Sequence, residues 1–388
     1  MEITNARLIL PDAIERGSLH IRNGRIHKIS KSIKPATAKR GERLDLRGGF
    51  LAPGFVDIHI HGALGRDTME ARLDAFREIT EYHLQGGTTS LTLTTLSASQ
   101  QDILKTLDAI APIHNQSIGG ARVVGVHVEG PFINKVRAGA QNPDYCRAPT
   151  AKEWGPILKY GSLITQMTLA PELPRVNLLI KALRKNGSIA SAGHTDATEK
   201  ELFPALKAGL NQSTHTFNAM SGLVKNGPYR MAGMLEFALA KDEIVCELIA
   251  DGQHVPPVLM RMLFNAKPRD QVVIITDATK GAGLKPGTKF EMYGIPARVT
   301  KTTAEVVDGR GLAGSTLTMI RAVQTAVEQA NVPLVDAVYM ATHNPARQLG
   351  RDHEFGTLTA GKRADLVWFN NRYQVKGVWL DGEFRRIG

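Results

Sequence analysis

Strand-like segments alternate with amphipathic helical segments over most of the chain after Gly54. The strand candidates are Phe55–His61, Ser90–Thr94, Val123–Glu129, Ile164–Ala170, Ser188–His194, Gln212–His215, Val245–Asp251 and Val272–Asp277. The helical candidates are Arg72–Gln85, Ser99–Ala111, Val176–Asn186, Lys200–Ala208, Pro257–Ala266, Thr316–Ala330 and Leu334–Leu349. Such alternation favours a parallel sheet covered by helices, and eight units of this kind predict a (β/α)8 barrel of the TIM type.

Both ends of the chain have the pattern of short antiparallel strands instead. The N-terminal end has a turn signal at Asn23-Gly24, and the C-terminal end has one at Asp381-Gly382. Each pair lies between alternating apolar segments, which is typical of a β-hairpin. The chain has 388 residues, more than the roughly 250 of a typical barrel. We therefore predict a barrel domain over residues 51–350 and a small β-sandwich domain formed by residues 1–50 and 351–388.

The formal net charge of +11 is compatible with a polyanionic partner, so the distribution of the charge matters. The basic residues are scattered, as Lys152, Lys181, Lys200 and Lys241 illustrate. Nucleic-acid-binding proteins instead group basic residues and often interleave them with aromatic ones. We expect a solvated basic surface and no nucleic-acid partner.

The cysteine content and the first residues bear on the cellular compartment. The cysteines, Cys146 and Cys246, are too few for a disulfide framework. The start of the chain, Met1-Glu-Ile-Thr-Asn5, lacks the basic and apolar regions of a signal peptide. No apolar segment approaches the roughly 18 residues that span a bilayer. We expect a cytoplasmic protein without a membrane partner.

Acidic and imidazole side chains recur where the predicted strands end. They are His59 and His61, Glu129, His194, His215, Asp251 with His254 just beyond it, and Asp277. Each alone could cap a helix or stabilise a turn. In a barrel, however, the carboxyl ends of the strands meet at one rim, where reactive groups lie. Because imidazole and carboxylate groups are common metal ligands, the set predicts one or two divalent cations at this rim.

This set of residues is sufficient for metal-assisted hydrolysis. Its nitrogen and oxygen ligands suit zinc, our first expectation, and also iron, manganese or nickel. A bound cation activates water, and a nearby carboxylate must then take the proton; we expect Asp277 in that role and also as a metal ligand. We expect His254 to polarise the scissile carbonyl group. His127 shares the strand face of Glu129, and we expect it to support a ligand rather than to bind metal.

Eight motifs along the chain make a more specific pattern. They are Ala52-Pro-Gly-Phe-Val-Asp-Ile-His-Ile-His-Gly62, Gly125-Val-His-Val-Glu-Gly-Pro-Phe132, Leu169-Ala-Pro-Glu172, Ala192-Gly-His-Thr195, Thr214-His-Thr-Phe-Asn-Ala-Met220, Ile249-Ala-Asp-Gly-Gln-His254, Ile275-Thr-Asp-Ala-Thr279 and Leu312-Ala-Gly-Ser-Thr-Leu-Thr-Met319. With them the chain resembles the amidohydrolase superfamily and, within it, the family of N-acetylglucosamine-6-phosphate deacetylases.

The resemblance implies a role for each matched residue. Glu129, His194 and His215 would bind the metal common to the family, whereas His59 and His61 would form the second site of its two-metal members. Asp277 would be the catalytic aspartate, and His254 would contact the acetyl carbonyl group. The implied contacts to the sugar phosphate are Asn218, Ala219, Leu312, Ala313 and Gly314.

The chain departs from the family pattern at two positions. After the glutamate, the family usually reads Gly-x-His-Asn-Pro, whereas this chain has Gly139-Ala-Gln-Asn-Pro143, so Ala140 and Gln141 stand at that substrate contact. After Asn-Ala-Met, the family typically has Arg-Glu-Pro-Gly, whose arginine reaches the 6-phosphate, commonly from the partner subunit of a dimer. Here Ser221–Met231 intervenes, and Lys225 or Arg230 is expected to supply the charge.

The resemblance therefore implies a homodimeric hydrolase of linear amide bonds. The expected reaction converts N-acetylglucosamine 6-phosphate and water to glucosamine 6-phosphate and acetate. The alternatives are deacetylation of N-acetylgalactosamine 6-phosphate or of a free N-acetylhexosamine. A barrel that binds ligands without catalysis is an alternative of another class.

Overall fold

The computed structural model describes residues 1–31 and 43–387. The strands before the first α-helix are β1 (Glu2–Ile9), β2 (Ile14–Arg22), β3 (Arg25–Ser30), β4 (Arg43–Asp45), β5 (Phe50–Pro53), β6 (Phe55–Ile60), β7 (Gly62–Ala63) and β8 (Arg66–Asp67). The next are β9 (Thr88–Thr95), β10 (Arg122–Glu129), β11 (Ile164–Leu169), β12 (Ile189–Ala192), β13 (Gln212–Ser213), β14 (Val224–Asn226), β15 (Tyr229–Met231), β16 (Val245–Ile249) and β17 (Val272–Ile275).

The remaining strands are β18 (Lys289–Met292), β19 (Ile295–Val299), β20 (Ala304–Val306), β21 (Leu366–Phe369), β22 (Val375–Leu380) and β23 (Glu383–Arg386). The α-helices are α1 (Leu73–Gln85), α2 (Gln100–Ile110), α3 (Ala151–Leu158), α4 (Val176–Asn186), α5 (Glu199–Ala208), α6 (Met234–Ala240), α7 (Pro257–Ala266), α8 (Met319–Glu328) and α9 (Leu334–Gln348).

Eight parallel strands form the barrel, in the order β6-β9-β10-β11-β12-β13-β16-β17. Backbone hydrogen bonds join its two edge strands: Asp277 N–H donates to His59 O at 2.9 Å, and His61 N–H donates to Ala278 O at 2.8 Å. Helices cover the outside, so the strands are buried on both faces, and some of them, such as Val272–Ile275, are apolar throughout. The barrel predicted from the alternation of strands and helices is confirmed.

The helices bury one face each, as their sequence period predicts. In α4, the buried residues are Val176, Leu179, Ile180 and Leu183, which lie at positions i, i+3, i+4 and i+7. This stripe packs on the barrel. Arg184 and Lys185 lie in the last turn of the helix, where positive charges interact favourably with the helix dipole.

Both chain ends share a second sheet of eight strands, in the order β23-β22-β21-β5-β1-β2-β3, with β4 also paired to β1. The two ends meet where β5 pairs with β1 on one side and with β21 on the other. Leu8 and Leu19 from one end and Leu366 and Trp379 from the other lie in one buried apolar cluster. The expected separate β domain from both ends is confirmed.

The predicted domain limits, residues 1–50 with 351–388 and residues 51–350, stay a prediction. Residues 32–42 and Gly388, which belong to these ranges, lie outside the described residues. In the described part of the chain, no helix combines the length and the apolar character needed to cross a membrane.

A small antiparallel sheet of three strands, β18-β19-β20, was not predicted. It lies between the last barrel strand, β17, and helix α8. Met292, Ile295 and Val306 of this sheet pack against Leu96 in their own buried cluster. The sheet therefore forms part of the wall at the rim of the barrel.

Candidate metal centre and active site

The predicted ligands lie at the same rim because each one ends, or closely follows, a parallel strand. His59 is in β6 and Glu129 ends β10, whereas His194, His215 and Asp277 each follow a barrel strand by two residues. These last three have positive φ angles of 47°, 30° and 50°. Non-glycine residues rarely adopt such angles, and those that do concentrate at functional sites.

Two histidine side chains converge on one carboxylate oxygen in the first ligand cluster. His194 Nε2 and His215 Nε2 each lie 3.1 Å from Glu129 Oε1, and the two nitrogens lie 3.1 Å from each other. His194 Nδ1 hydrogen-bonds Arg137 O at 2.8 Å, so that a ring protonated at Nδ1 has its Nε2 lone pair directed at the cluster.

The second ligand cluster uses the same glutamate. His61 Nε2 lies 3.1 Å from Glu129 Oε2, and His59 Nε2 lies 3.5 Å from Glu129 Oε1. Asp277 Oδ1 completes this side, at 3.3 Å from His61 Nε2 and 3.5 Å from His59 Nε2. Glu129 thus stands between the two clusters, with one oxygen or the other within reach of every predicted histidine ligand.

The geometry fits divalent cations. Ligands about 2.1 Å from a metal ion in a tetrahedral site are about 3.4 Å from each other, close to the 3.1 Å separations among Glu129, His194 and His215. His59 Nε2 is buried and has no hydrogen-bond partner among the described residues, which is costly unless a further group satisfies it. The nitrogen and oxygen donors can therefore hold one or two cations.

Charges within the site shift the pKa values of the predicted ligands. Burial alone would lower the pKa of both strand histidines, but the carboxylates of Glu129 and Asp277 outweigh it. They raise the pKa of His59 well above its ordinary value and that of His61 to about 9. Burial alone would raise the pKa of the Asp277 carboxyl, but the charges of His59 and His61 outweigh burial and lower that pKa. Asp277 is therefore ionised at neutral pH, as a general base must be.

Gln141 contacts Glu129 directly. Its Nε2 donates to Glu129 Oε2 at 2.6 Å, and its Oε1 accepts a hydrogen bond from Ser97 N–H at 2.7 Å. Gln141 is also part of the cavity wall. Its predicted contact with the substrate stays a prediction.

His127 lies behind the ligands rather than among them. Its Nε2 is hydrogen-bonded to Thr168 Oγ1 at 2.8 Å, and its ring packs edge-on to that of His59 at 4.4 Å. Burial and the neighbouring His59 lower its pKa well below the ordinary value, so the ring is neutral. These contacts agree with the supporting role that we expected for His127, a role that stays a prediction.

His254 is held by an acid on the same loop. Asp251 Oδ2 accepts from His254 Nδ1 at 2.7 Å, and Asp251 Oδ1 accepts from His254 N–H at 2.8 Å. The other ring nitrogen, Nε2, takes no part in this contact, and the predicted role of His254 at the acetyl carbonyl group stays a prediction. His254 lines the same cavity as the ligand clusters.

A cavity of about 310 Å³ opens above the two clusters, a volume within the usual range for small-molecule sites. Its wall is formed by His61, Glu129, Val136, Arg137, Gly139, Ala140, Gln141, His194, His215, Asn218, Ala219, Ile249, His254, Asp277, Met292, Arg310, Gly311, Leu312 and Gly314.

The cavity wall includes most of the predicted sugar-phosphate contacts: Ala140, Asn218, Ala219, Leu312 and Gly314. Ala313, between two of them in the chain, is fully buried instead.

Gly314 has a positive φ of 56°, and an added Cβ would come within 2.7 Å of Asp277 O. Only glycine allows this close approach of the backbone to Asp277.

Lys225 and Arg230 lie outside the cavity wall. They are paired across the exposed hairpin formed by β14 and β15. Glu236 fixes the base of the hairpin, because its carboxylate accepts from Leu223 N–H and from Gly233 N–H, each at 3.0 Å. The expectation that one of these two cations binds phosphate stays a prediction.

Sequence reasoning missed several residues at the site. Arg137 and Arg310 line the cavity, and Glu247 hydrogen-bonds His59. A signal for Glu247 was present: an acid in the middle of the apolar strand Val245–Ile249. The signal for Arg310 was the long segment between β17 and α8, which exceeds the usual loop of two to six residues.

Comparisons with known proteins agree with this site. The model of the amidohydrolase family matches residues 50–385. The N-acetylglucosamine-6-phosphate deacetylase of Bacillus subtilis is 36% identical over 370 residues, which cover 94% of this chain and 91% of that protein. The N-acetylgalactosamine-6-phosphate deacetylase of a Shewanella species is 31% identical over 371 residues, covering 95% of this chain and 91% of that protein.

Solved structures agree as well. The N-acetylglucosamine-6-phosphate deacetylase of Pasteurella multocida superposes with a TM-score of 0.91 and 28% identity, covering 99% of both chains. A mutant of the Mycobacterium smegmatis enzyme in complex with N-acetyl-D-glucosamine-6-phosphate gives a TM-score of 0.90 and 30% identity, over 99% of this chain and 98% of that one. The expected class, a hydrolase of amide bonds, is confirmed. With a family match that spans most of its length and relatives above 30% identity, the chain belongs to the amidohydrolase family.

Proposed function

We propose that the protein is a metal-dependent deacetylase that converts N-acetylglucosamine 6-phosphate and water to glucosamine 6-phosphate and acetate. One observation carries the proposal: two histidine clusters share Glu129 at the base of a cavity of about 310 Å³, with the ionised Asp277 beside them. The relatives that bear this activity in their names support the choice of substrate.

The residues have complementary tasks in the reaction. His194, His215 and Glu129 would hold one cation, and His59, His61 and Glu129 would hold a second. A bound divalent cation lowers the pKa of a coordinated water molecule and polarises a carbonyl group. Asp277 takes a proton from the attacking water and returns it to the amide nitrogen as the C–N bond breaks.

His254 orients the acetyl group. Asp251 accepts a hydrogen bond from Nδ1 of the ring, and the imidazolium form, with hydrogen on both nitrogens, donates from Nε2 to the acetyl oxygen, where negative charge develops. The products are acetate, which carries the new C–O bond, and the free amine of the sugar.

Two arginines favour a phosphorylated substrate. Arg137 and Arg310 both lie in the cavity wall. Arg137 already donates two hydrogen bonds to Asp196, at 2.9 Å and 2.6 Å. Arg310 forms one ion pair, at 3.0 Å, with the half-exposed Asp308. Arg310 is therefore the cation more readily turned towards a phosphate group.

A second candidate substrate is N-acetylgalactosamine 6-phosphate. Relatives from Shewanella and from Escherichia coli O157:H7, each 31% identical, are named as deacetylases of that sugar. The two sugars differ only in the configuration of the C4 hydroxyl group. The metal centre and Asp277 act on the N-acetyl group, which both sugars carry.

Three further properties belong to the proposal. Zinc is the expected metal, with iron, manganese or nickel as alternatives, since the ligands are nitrogen and oxygen atoms. The unpaired thiols of Cys146 and Cys246 support a cytoplasmic location. A homodimer is supported by the β14–β15 hairpin, where Leu223 is 63% exposed and Tyr229 74% exposed beside the cations Lys225 and Arg230.

The substrate proposal is tested by the release of acetate. The zinc-loaded protein is assayed with N-acetylglucosamine 6-phosphate, N-acetylgalactosamine 6-phosphate and free N-acetylglucosamine, and kcat/KM is compared. We expect the first substrate to be preferred over the free sugar by at least about tenfold, the effect of one charge-assisted hydrogen bond. Equal values for the free and the phosphorylated sugar would refute the proposed substrate.

The dimer proposal is tested by mixing inactive variants. If Arg230 completes the site of the partner subunit, Asp277→Asn and Arg230→Ala proteins regain activity when their subunits are exchanged, because one site of the mixed dimer is then intact. Mixtures that stay as inactive as their components, despite a mass that shows exchange, would refute the shared site.

A further inference from the structure

Glu247 is a buried carboxylate that the proposed chemistry does not use. It lies in the middle of β16 and is fully buried in the barrel interior. Its Oε2 is 3.1 Å from His59 Nδ1 and accepts a hydrogen bond from His215 N–H at 3.1 Å. It therefore contacts one member of each ligand cluster.

Its other oxygen is held from the opposite side. Glu247 Oε1 accepts hydrogen bonds from Gln166 Nε2 at 3.0 Å and from Gln212 Nε2 at 2.8 Å. Two side-chain amides and one backbone N–H are obligate donors at these oxygens, so the carboxylate acts as an acceptor throughout. The remaining contact, to His59, is then made by a ring that carries its proton on Nδ1.

The position of that proton decides what His59 can do. A neutral imidazole with hydrogen on Nδ1 has its lone pair on Nε2. This is the nitrogen that lies 3.5 Å from both Glu129 Oε1 and Asp277 Oδ1. In the same cluster, His61 Nδ1 is buried without a hydrogen-bond partner in the described part of the chain. In the second cluster, Glu247 therefore holds the His59 ring from the side that faces away from Glu129 and Asp277.

We propose that Glu247 is a positioning residue for the second metal site, which fixes the ring of His59 with its Nε2 lone pair directed at the cation. This inference rests on the proposed metal centre. Carboxylates that support a metal-bound histidine in this way typically change metal affinity by about 10- to 100-fold when they are replaced.

The test measures metal binding alone. Full-length protein freed of metal is titrated with Co²⁺, whose absorption spectrum follows each ion, and the bound metal is counted by mass spectrometry. In Glu247→Gln, an amide donor replaces one acceptor atom of the carboxylate. We expect the first ion to bind nearly as in the wild type and the second to bind about 10- to 100-fold more weakly.

Gln166→Met is the matched control. It removes a hydrogen bond to the same carboxylate, from the side that touches no predicted ligand. We expect it to lower the unfolding temperature of the metal-free protein, as Glu247→Gln does, while two ions still bind. A purely structural role predicts the same loss of the second ion in both variants, and that result would overturn the inference.

A measurement on the wild type covers the case in which Glu247→Gln does not fold. Histidine labelled with ¹⁵N shows which ring nitrogen carries hydrogen, and the zinc-loaded protein is expected to show His59 with a proton on Nδ1. Zinc bound through Nδ1 would overturn the inference, as would a wild type that binds only one ion. A wild type that binds none would instead refute the proposed metal centre itself.

Discussion

Gln141 and Glu129 are joined by a hydrogen bond of 2.6 Å from the amide Nε2 to the carboxylate Oε2. Since Gln141 Oε1 is already used by Ser97 N–H, both polar atoms of this side chain have partners within the protein. We therefore propose that Gln141 orients Glu129, the ligand that both clusters share, and its predicted contact with the substrate stays a prediction.

Replacing Gln141 by Leu should therefore weaken the metal centre. We expect the metal affinity to fall about tenfold, because the orienting donor is lost, and the KM of the sugar phosphate to stay nearly constant. Competition with a chelator gives the first quantity and steady-state kinetics the second. Gln100→Leu is the control, since Gln100 donates only to backbone carbonyl groups of Lys152 and Glu153. A raised KM with normal metal retention would show instead that Gln141 contacts the substrate.

Replacing Asp277 by Asn should abolish most of the activity without unfolding the protein. Asparagine tolerates the φ of 50° at this position, but it cannot accept a proton. We expect kcat to fall about 10³-fold, measured as acetate release. Asp381→Asn makes the same change at a turn residue that also has a φ of 50° and lies outside the cavity wall. If both variants kept full activity, Asp277 would not be the base.

Replacing Arg310 by Ala should affect phosphorylated substrates selectively. Loss of one charge-assisted hydrogen bond to phosphate should raise KM by about tenfold and leave kcat nearly unchanged. The weak turnover of the free sugar should not change. Arg298→Ala serves as the control, because Arg298 lies in β19 of the small sheet and pairs with Glu305. An equal rise of KM for both sugars would place Arg310 away from the phosphate.

His83 should make the protein sensitive to mild acid. Its Nε2 is hydrogen-bonded to Gly62 O at 3.2 Å, and burial lowers its pKa to about 4. Between pH 6.5 and 4 the unfolded chain therefore binds a proton that the folded protein excludes, so stability that is present above pH 6.5 is lost as the pH falls. The expected loss is about 3 kcal/mol, at 1.36 kcal/mol per pH unit.

The variant His83→Gln keeps a donor for Gly62 O but has no group that titrates. Its free energy of unfolding is measured with denaturant from pH 7 to pH 4. We expect this free energy to fall less than in the wild type, and the difference should equal the loss attributed to His83. The exposed His353, changed to Gln, is the control and should leave the pH dependence as it is. Parallel curves for His83→Gln and the wild type would contradict the prediction.

Periodic patterns in the sequence predicted the barrel well, for a physical reason. A strand buried on both faces is often apolar throughout, as Val272–Ile275 is, and a covering helix such as α4 has one apolar stripe. The positions of His194, His215 and Asp277 followed, because they come just after such strands.

Other features depend on contacts that sequence spacing does not encode. The pairing of Glu247 with His59 joins residues 188 positions apart, and Arg310 reaches the cavity only because β18, β19 and β20 form a sheet of their own. Neither the direction of a polar side chain inside a barrel nor the docking of an inserted sheet follows from local periodicity.

The position of β5 between β1 and β21 has a consequence for synthesis on the ribosome. One edge of β5 cannot be covered until Leu366 and its neighbours have been translated, some 300 residues later. The growing chain therefore carries an open strand edge while the barrel strands are being translated. Other nascent chains could attach to this edge. Shortening the chain at its C-terminus would leave that edge open permanently, so we expect truncated products to aggregate even though the metal centre lies in another part of the molecule.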